Sequence, residues 1–322
     1  MRRVLITGAT GSFGRAFVRS LLDRHPNVEI VCFSRDELKQ FEMKAEFRSP
    51  SLEFALGDVR DYRRVLQVSE GVDTIVHAAA MKQIPAAELN PMEAIKTNIL
   101  GAENIINAAI EGSVSRVVAL STDKAANPAN LYGATKLCSD KLMIAGNLLA
   151  KNSETKFSVV RYGNVLGSRG SVVPFFLEKK KSGLIPITDE RMTRFWLTLS
   201  DAVELVFTAL SQMKGGEIFV PKIPSFKVTD VARLVAPGIP FEVIGIRPGE
   251  KLHEIMITED DSIYTREYSN HYRILSPLLP IHKDELQKNS NIPDGFSYRS
   301  DNNTWWHNDE SFLKTLKEIG LV

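Results

Sequence analysis

The first half of the chain alternates short apolar runs with longer stretches whose apolar positions recur at helical spacing. The runs are Val4–Ile6, Val28–Phe33, Leu52–Leu56, Thr74–Val76, Val117–Leu120 and Phe157–Val160. Between them, Phe13–Leu22, Met92–Ile110 and Tyr132–Ala150 place apolar residues three and four apart, the period of a helix with one buried face. Short, continuously apolar runs suit strands covered on both faces, and their alternation with helices predicts an α/β fold with a doubly wound parallel sheet. Beyond about Arg161 the order loosens: a helix over 173–181, an extended stretch over 193–199, a helix over 201–213 and a strand over 218–220. This predicts a second, smaller lobe over 166–282, partly interwoven with the first domain (1–165, with returning segments). The tail, 283–322, carries Asn, Ser and Asp clusters and is expected to wrap the surface.

Composition narrows the class. Across 322 residues, 40 Lys plus Arg against 39 Asp plus Glu give a net charge of +1, without the basic excess of a dedicated nucleic-acid binder. Cys32 and Cys138 are too few for a disulfide framework and suit a reducing, cytoplasmic setting. No apolar run approaches the roughly 20 residues of a membrane span, so no membrane association is expected. The first strand begins almost at the initiator Met, so no leader is expected either. The six His show no metal-ligand spacing, and no metal site is expected.

Thr7-Gly8-Ala9-Thr10-Gly11-Ser12-Phe13-Gly14 follows the first strand and opens a helix. Gly8 permits the tight turn, Gly11 lets amides approach a pyrophosphate, and Gly14 allows close helix–strand packing. The spacing is GxxGxxG, and its place between strand and helix marks residues 1–165 as a Rossmann domain. About 20 positions beyond the glycines, where an acidic residue takes the ribose of NAD, stand Ser34 and Arg35. A hydroxyl and a guanidinium favour a 2′-phosphate, hence NADP. Asp58 and Val59 end the third strand, near adenine. Ala78 and Ala80 end the fourth, leaving room for ribose and nicotinamide. Tyr132 and Lys136 form a YxxxK pair, one turn apart on one helix face. Lys136 is expected to lower the Tyr132 pKa, so that the phenolate takes a hydroxyl proton as hydride leaves. Cys138, two past Lys136, is expected in the core.

With Thr7–Gly14, Ser121 and Tyr132–Lys136 together, the chain resembles the extended short-chain dehydrogenase/reductases. SRDELKQ (34–40), MKQIPAAELNPMEAIKT (81–97), STDKA (121–125), RYGNVLG (161–167), MTRFW (192–196) and IRPGEKLHE (246–254) narrow the likeness. They resemble the soluble, C5-inverting UDP-N-acetylglucosamine 4,6-dehydratases that open pseudaminic acid biosynthesis. The resemblance covers about residues 1–280. It implies an NADP-dependent hydro-lyase that oxidises C4, removes water across C5–C6 and returns the hydride to C6, giving the L-arabino 4-keto sugar. Asp123-Lys124 is then the second acid/base pair, where retaining relatives carry Asp-Glu. Lys124 is expected to act on C5 as acid/base with a lowered pKa, and Thr122 to meet the substrate. Lys82, Asn164, Arg169, Arg194, Arg247 and Lys251 are candidate ligands of the UDP-sugar, because cations suit a diphosphate. A homo-oligomer, dimer or hexamer, is expected. Two rival readings remain: a UDP-hexose 4-epimerase, which has no use for Asp123-Lys124, and a non-catalytic NADP-sensing protein, which has no need of Tyr132, Lys136 and Asp123 together.

Overall fold

The computed structural model describes residues 1–151, 153–167, 171–288 and 292–321. Six apolar runs form β1 (Arg3–Thr7), β2 (Glu29–Ser34), β3 (Leu52–Leu56), β4 (Thr74–His77), β5 (Arg116–Thr122) and β6 (Lys156–Tyr162). All are parallel, in the order β6-β5-β4-β1-β2-β3. Ile218–Pro221 extends the sheet in parallel beside β6, and His271–Ile274 and Thr265–Glu267 add two antiparallel edge strands. The chain winds outward from β1 to β3 and then in the other direction from β4. The crevice where ligands bind therefore opens between the carboxyl ends of β1 and β4. There the Thr7 hydroxyl accepts the Ala78 and Ala79 amides, each at 3.1 Å, leaving its own proton for His77 Nδ1 at 2.8 Å. His77 is fully buried, and its pKa falls to about 3 chiefly through burial, so this lock is made with a neutral ring.

The stretch expected as one helix over 92–110 is interrupted. Helices Pro91–Ile95 and Gly101–Glu111 flank a π-helical turn, Lys96–Leu100. Such turns serve sites by re-aiming a side chain. This one carries Asn98, which accepts from the Met81 amide (2.8 Å) and donates to the Met81 carbonyl (2.9 Å) and Thr135 Oγ1 (2.9 Å). The loop after β4 is thereby fixed to helix Leu131–Leu149, which bears Tyr132 and Lys136.

Two apolar cores result. The larger covers both faces of the sheet and takes in helix Leu199–Gln212 through Ala202, Val206 and Ala209. The smaller joins Val173, Phe176, Ile185, Trp196, Phe226 and Val231. The tail differs from a surface wrap. Tyr298 is buried where Tyr298–Arg299 pairs with Ile255–Ile257, and helix Asp309–Glu318 inserts Phe312 and Leu316 into the smaller core. Each such side chain contributes about 1.5–3 kcal/mol by leaving water. The polar clusters at 301–303 and 308–310 obscured this amphipathic helix in sequence. Cys138 is exposed rather than core, because helix Leu131–Leu149 buries the face of Lys136, Ser139, Asp140 and Met143. No helix among the described residues is long and apolar enough to cross a membrane.

Candidate active site

A cleft of about 870 Å³ runs from the glycine turn to the catalytic helix. At one end, Gly8 has φ +67°, and a Cβ there would lie 3.0 Å from the Ala79 amide nitrogen. A Cβ on Gly14 would meet the Ala9 carbonyl oxygen at 2.4 Å, so only glycine lets the helix start so close to β1. Helix Ser12–Arg24 has no side-chain cap at Gly11 and no acidic residue in its first turn. Its amides and dipole are therefore left for an anion such as a pyrophosphate. Gly8, Thr10, Gly11, Ser12, Phe13, Gly14, Ser34, Arg35, Val59, Ala78, Ala80, Tyr132 and Lys136 all line the cleft. Asp58 does not: it is held by Arg60 at 2.7 Å and by Arg35 at 3.5 Å. The cradle fits an extended dinucleotide.

At the other end, β5 delivers Ser121 and Thr122, and a 3-10 turn, Asp123–Ala125, follows at once. Thr122 Oγ1 donates to Asp123 Oδ1 at 2.9 Å, and Lys124 Nζ donates to the same oxygen at 3.0 Å. Asp123 Oδ2 is buried without a protein partner. Burial raises the Asp123 carboxyl, with Lys124 opposing, so the group is suited to hold a proton and give it up. Gly133 is required here, since a Cβ would lie 2.2 Å from the Lys124 carbonyl oxygen.

Two sequence expectations about acidity are overturned. Lys124 is not lowered: Asp123 on one side and Glu254 on the other, at 3.3 Å, outweigh burial and hold it well above the usual lysine range. In the free protein it is an ammonium, set to donate rather than to accept. Tyr132 is not lowered either. Burial pushes its phenol up to about 12, against the opposing effects of Lys124 and of a hydrogen bond between the Tyr132 and Thr122 hydroxyls. The cation acting on it is Lys124 rather than Lys136. Lys136 is itself lowered by burial, with Asp140 opposing.

The candidate sugar-nucleotide ligands divide. Lys82 and Asn164 line the cleft, and Asn164 Oδ1 is buried without a partner. Arg194 turns inward, donating to the Thr193 (2.7 Å) and Leu252 (3.1 Å) carbonyls, with Glu254 at 3.6 Å. Lys251 donates to the Ala126 carbonyl at 2.6 Å, bracing the Asp123 turn from behind. Arg247 lies on an exposed loop, 3.9 Å from Glu250. None of these three lines the cleft. Arg169 lies outside the described residues. Among the described residues, no group of His, Cys, Asp and Glu could hold a metal ion.

Sequence reasoning missed Asp140, Arg161 and Glu254. Asp140 is buried, accepting from Ser121 Oγ (2.7 Å) and Arg161 (3.3 Å). Its place four past Lys136 is a helical spacing that a search around the YxxxK pair finds. For Glu254 the only signal was its position at the end of GEKLHE.

The fold and cleft define a doubly wound α/β protein with a dinucleotide cradle at one end of a cleft and a Tyr–Lys pair at the other. Residues 4–276 match the family described as "Polysaccharide biosynthesis protein", and the chain belongs to it. It is 52% identical to the UDP-N-acetylglucosamine 4,6-dehydratase (inverting) of Campylobacter jejuni, over 98% of this chain and 97% of that protein. It is also 42% identical to the UDP-glucose 4-epimerase of Rickettsia canadensis, over 85% of this chain and 82% of that protein. The X-ray structure of Pen from Bacillus thuringiensis superposes with a TM-score of 0.91 at 36% identity, covering 100% of this chain and 98% of that one. DesIV, a dTDP-glucose 4,6-dehydratase of Streptomyces venezuelae solved with NAD and TYD, shares the fold (TM-score 0.69, 23% identity, 78% and 86% covered).

Proposed function

We propose that the protein is a UDP-N-acetylglucosamine 4,6-dehydratase that inverts C5. The carrying observation is the buried Thr122–Asp123–Lys124 turn beside Tyr132, in one cleft with the glycine cradle, in a chain 52% identical to a dehydratase of that name. An epimerase needs a hydride acceptor and a hydroxyl base. It has no use for a buried carboxyl with an unpartnered oxygen and an ammonium at 3.0 Å.

We infer NADP as the cofactor, held by Gly8–Gly14, with Ser34 and Arg35 at its 2′-phosphate, Val59 near adenine, and Ala78, Ala80, Tyr132 and Lys136 towards the nicotinamide. When bound, NADP would supply the hydride acceptor for C4 of the sugar and the donor for C6. Tyr132, bonded to Thr122, gives up its own phenol proton to solvent and takes the C4 hydroxyl proton in its place; Lys136 orients the ribose side and supplies positive charge. Oxidation makes the C5 proton acidic. The free Oδ2 of the Asp123 carboxylate takes the C5 proton, and the carboxyl passes it to the C6 hydroxyl, so the C5–H and C6–O bonds break, water leaves, a C5=C6 double bond forms and Asp123 is a carboxylate again. Lys124 enters as the ammonium that returns a proton to C5. Lys82 and Asn164, which line the cleft, contact the sugar nucleotide. On this reading residues 1–165 serve the cofactor, 166–282 the substrate and 283–322 brace the second part. The enzyme works as a cytoplasmic homo-oligomer.

Incubation with UDP-N-acetylglucosamine tests this by product mass. Loss of one water is expected; an unchanged mass with C4 inverted identifies the 4-epimerase named among the relatives and sinks the proposal.

A further inference from the structure

Behind the Asp123–Lys124 turn stands a carboxylate that does not line the cleft. Glu254 is 2% exposed. Its Oε1 lies 3.3 Å from Lys124 Nζ and 3.6 Å from Arg194 Nε, while Oε2 is buried without a hydrogen-bond partner. Lys124 is thus gripped by two buried carboxylates from distant parts of the chain. Glu254 is fixed in turn by the tail: Ser300 N donates to the Glu254 carbonyl and Glu254 N donates to Ser300 Oγ, each at 2.9 Å. Ser300 Oγ also shares a hydrogen bond with Thr193 Oγ1 at 2.7 Å. The groups facing Lys124 are Asp123 on its own turn, Arg194 from strand Thr193–Leu197, Glu254 and Lys251 from the segment before Ile255–Ile257, and Tyr132 from the catalytic helix.

The two carboxylates are not equivalent. Burial raises Asp123, whereas Lys124, Arg194 and Lys251 together outweigh burial and hold Glu254 below the ordinary glutamate range. Carboxyls pushed apart in this way take different roles. While Asp123 carries its proton it is neutral and cannot hold an ammonium; Glu254 can. When that proton leaves for the C6 oxygen, the new Asp123 carboxylate finds Lys124 already in place.

We propose that Glu254 is a positioning residue of the dehydration step, holding the Lys124 ammonium beside Asp123 and tying the reacting turn to the C-terminal tail through Ser300. The role in dehydration rests on the function proposed above; the grip on Lys124 does not.

The test compares full-length wild type, Glu254→Gln and Glu254→Asp with UDP-N-acetylglucosamine across pH. Glu254→Gln should lower turnover about 10–100-fold, the usual loss when a supporting partner is removed. C4 oxidation should persist, seen as absorbance of reduced nicotinamide. The alkaline limb set by Lys124 should move down by about 1–3 units, the effect of removing one close opposite charge. Glu254→Asp should recover part of both. NMR of ε-¹³C-lysine, with the Lys124 signal assigned by its loss in Lys124→Arg, reads the same shift without substrate. A Lys124 titration and pH limb unmoved in Glu254→Gln overturn the proposal, even if turnover or Tm falls. Should Glu254→Gln not fold, Glu254→Asp decides by the same titration, and no shift overturns it. A wild type that makes no dehydrated product while Lys124 still shifts refutes the assigned reaction and leaves the ion-pair role standing.

Discussion

Asp123→Asn separates the two halves of the proposed reaction. Asparagine keeps the shape and one oxygen, so the Thr122 contact at 2.9 Å has an acceptor, and Lys124 keeps Glu254 at 3.3 Å. What disappears is the proton donor and one of the two charges on Lys124. The retained ion pair limits the folding cost to about 1–3 kcal/mol, that of a weakened buried hydrogen bond. The chemical cost is larger: losing a general acid slows its step about 10²–10⁴-fold, or roughly 3–5 kcal/mol of barrier. C4 oxidation does not use Asp123, so it should proceed until reduced nicotinamide accumulates on the enzyme. Stopped-flow absorbance with UDP-N-acetylglucosamine should show that rise in Asp123→Asn and none in Tyr132→Phe, which lacks the hydroxyl that takes the C4 proton. Near-normal turnover in Asp123→Asn, or no reduced nicotinamide in either variant, refutes the assignment.

Gly14→Ala puts a Cβ 2.4 Å from the Ala9 carbonyl oxygen, and backbone cannot step aside. The helix start must retreat by about 1 Å, at about 1–3 kcal/mol by the general cost of overpacking; calorimetry should show a lower Tm and titration a weakened cofactor, whereas unchanged binding means the amides do not hold the pyrophosphate. Arg35→Ala should weaken NADP by about 1.5–3 kcal/mol, the range for hydrogen bonds to charged groups, and leave NAD untouched; equal losses remove the 2′-phosphate assignment. Burial lowers buried His77 to about 3 and His271 to about 4, with Arg273 and Lys222 adding to the second. Both folded values lie below the unfolded one, so the unfolded chain binds more protons, and stability present above pH 6.5 should drain away as pH falls towards 4. His271→Gln should flatten that decline by at most about 3 kcal/mol; a Tm–pH slope the same as wild type contradicts the reasoning.

What the sequence revealed and what it hid follow from the range of the signals. β1, β2, β4, β5 and β6 were legible because strands covered on both faces carry near-continuous apolar runs, the edge strand β3 because four of its five residues are apolar, and the glycine turn because its φ and its close approach leave no other residue possible. Tyr132 and Lys136 were legible because one helical turn fixes their separation. The break at Lys96–Leu100 was not, since a π-helical turn keeps the apolar composition and shifts only the phase. Cys138 was misplaced because the helix buries the polar face of Lys136, Ser139 and Asp140 and turns the face pointing away from Lys136 to solvent. The acidities of Tyr132 and Lys124 depend on Asp123, Glu254 and burial combined, and Glu254 arrives from the far side of the second lobe, beyond any local spacing. The buried helix at Phe312 and Leu316 was hidden by the polar segments around it.

The most direct test is the reaction in heavy water, followed by NMR of the sugar product. The account predicts a 4-keto-6-deoxy sugar of L-arabino configuration with one deuterium at C5 and the hydrogen that left C4 now at C6. Retained configuration at C5, or a product still bearing its C6 hydroxyl, contradicts it.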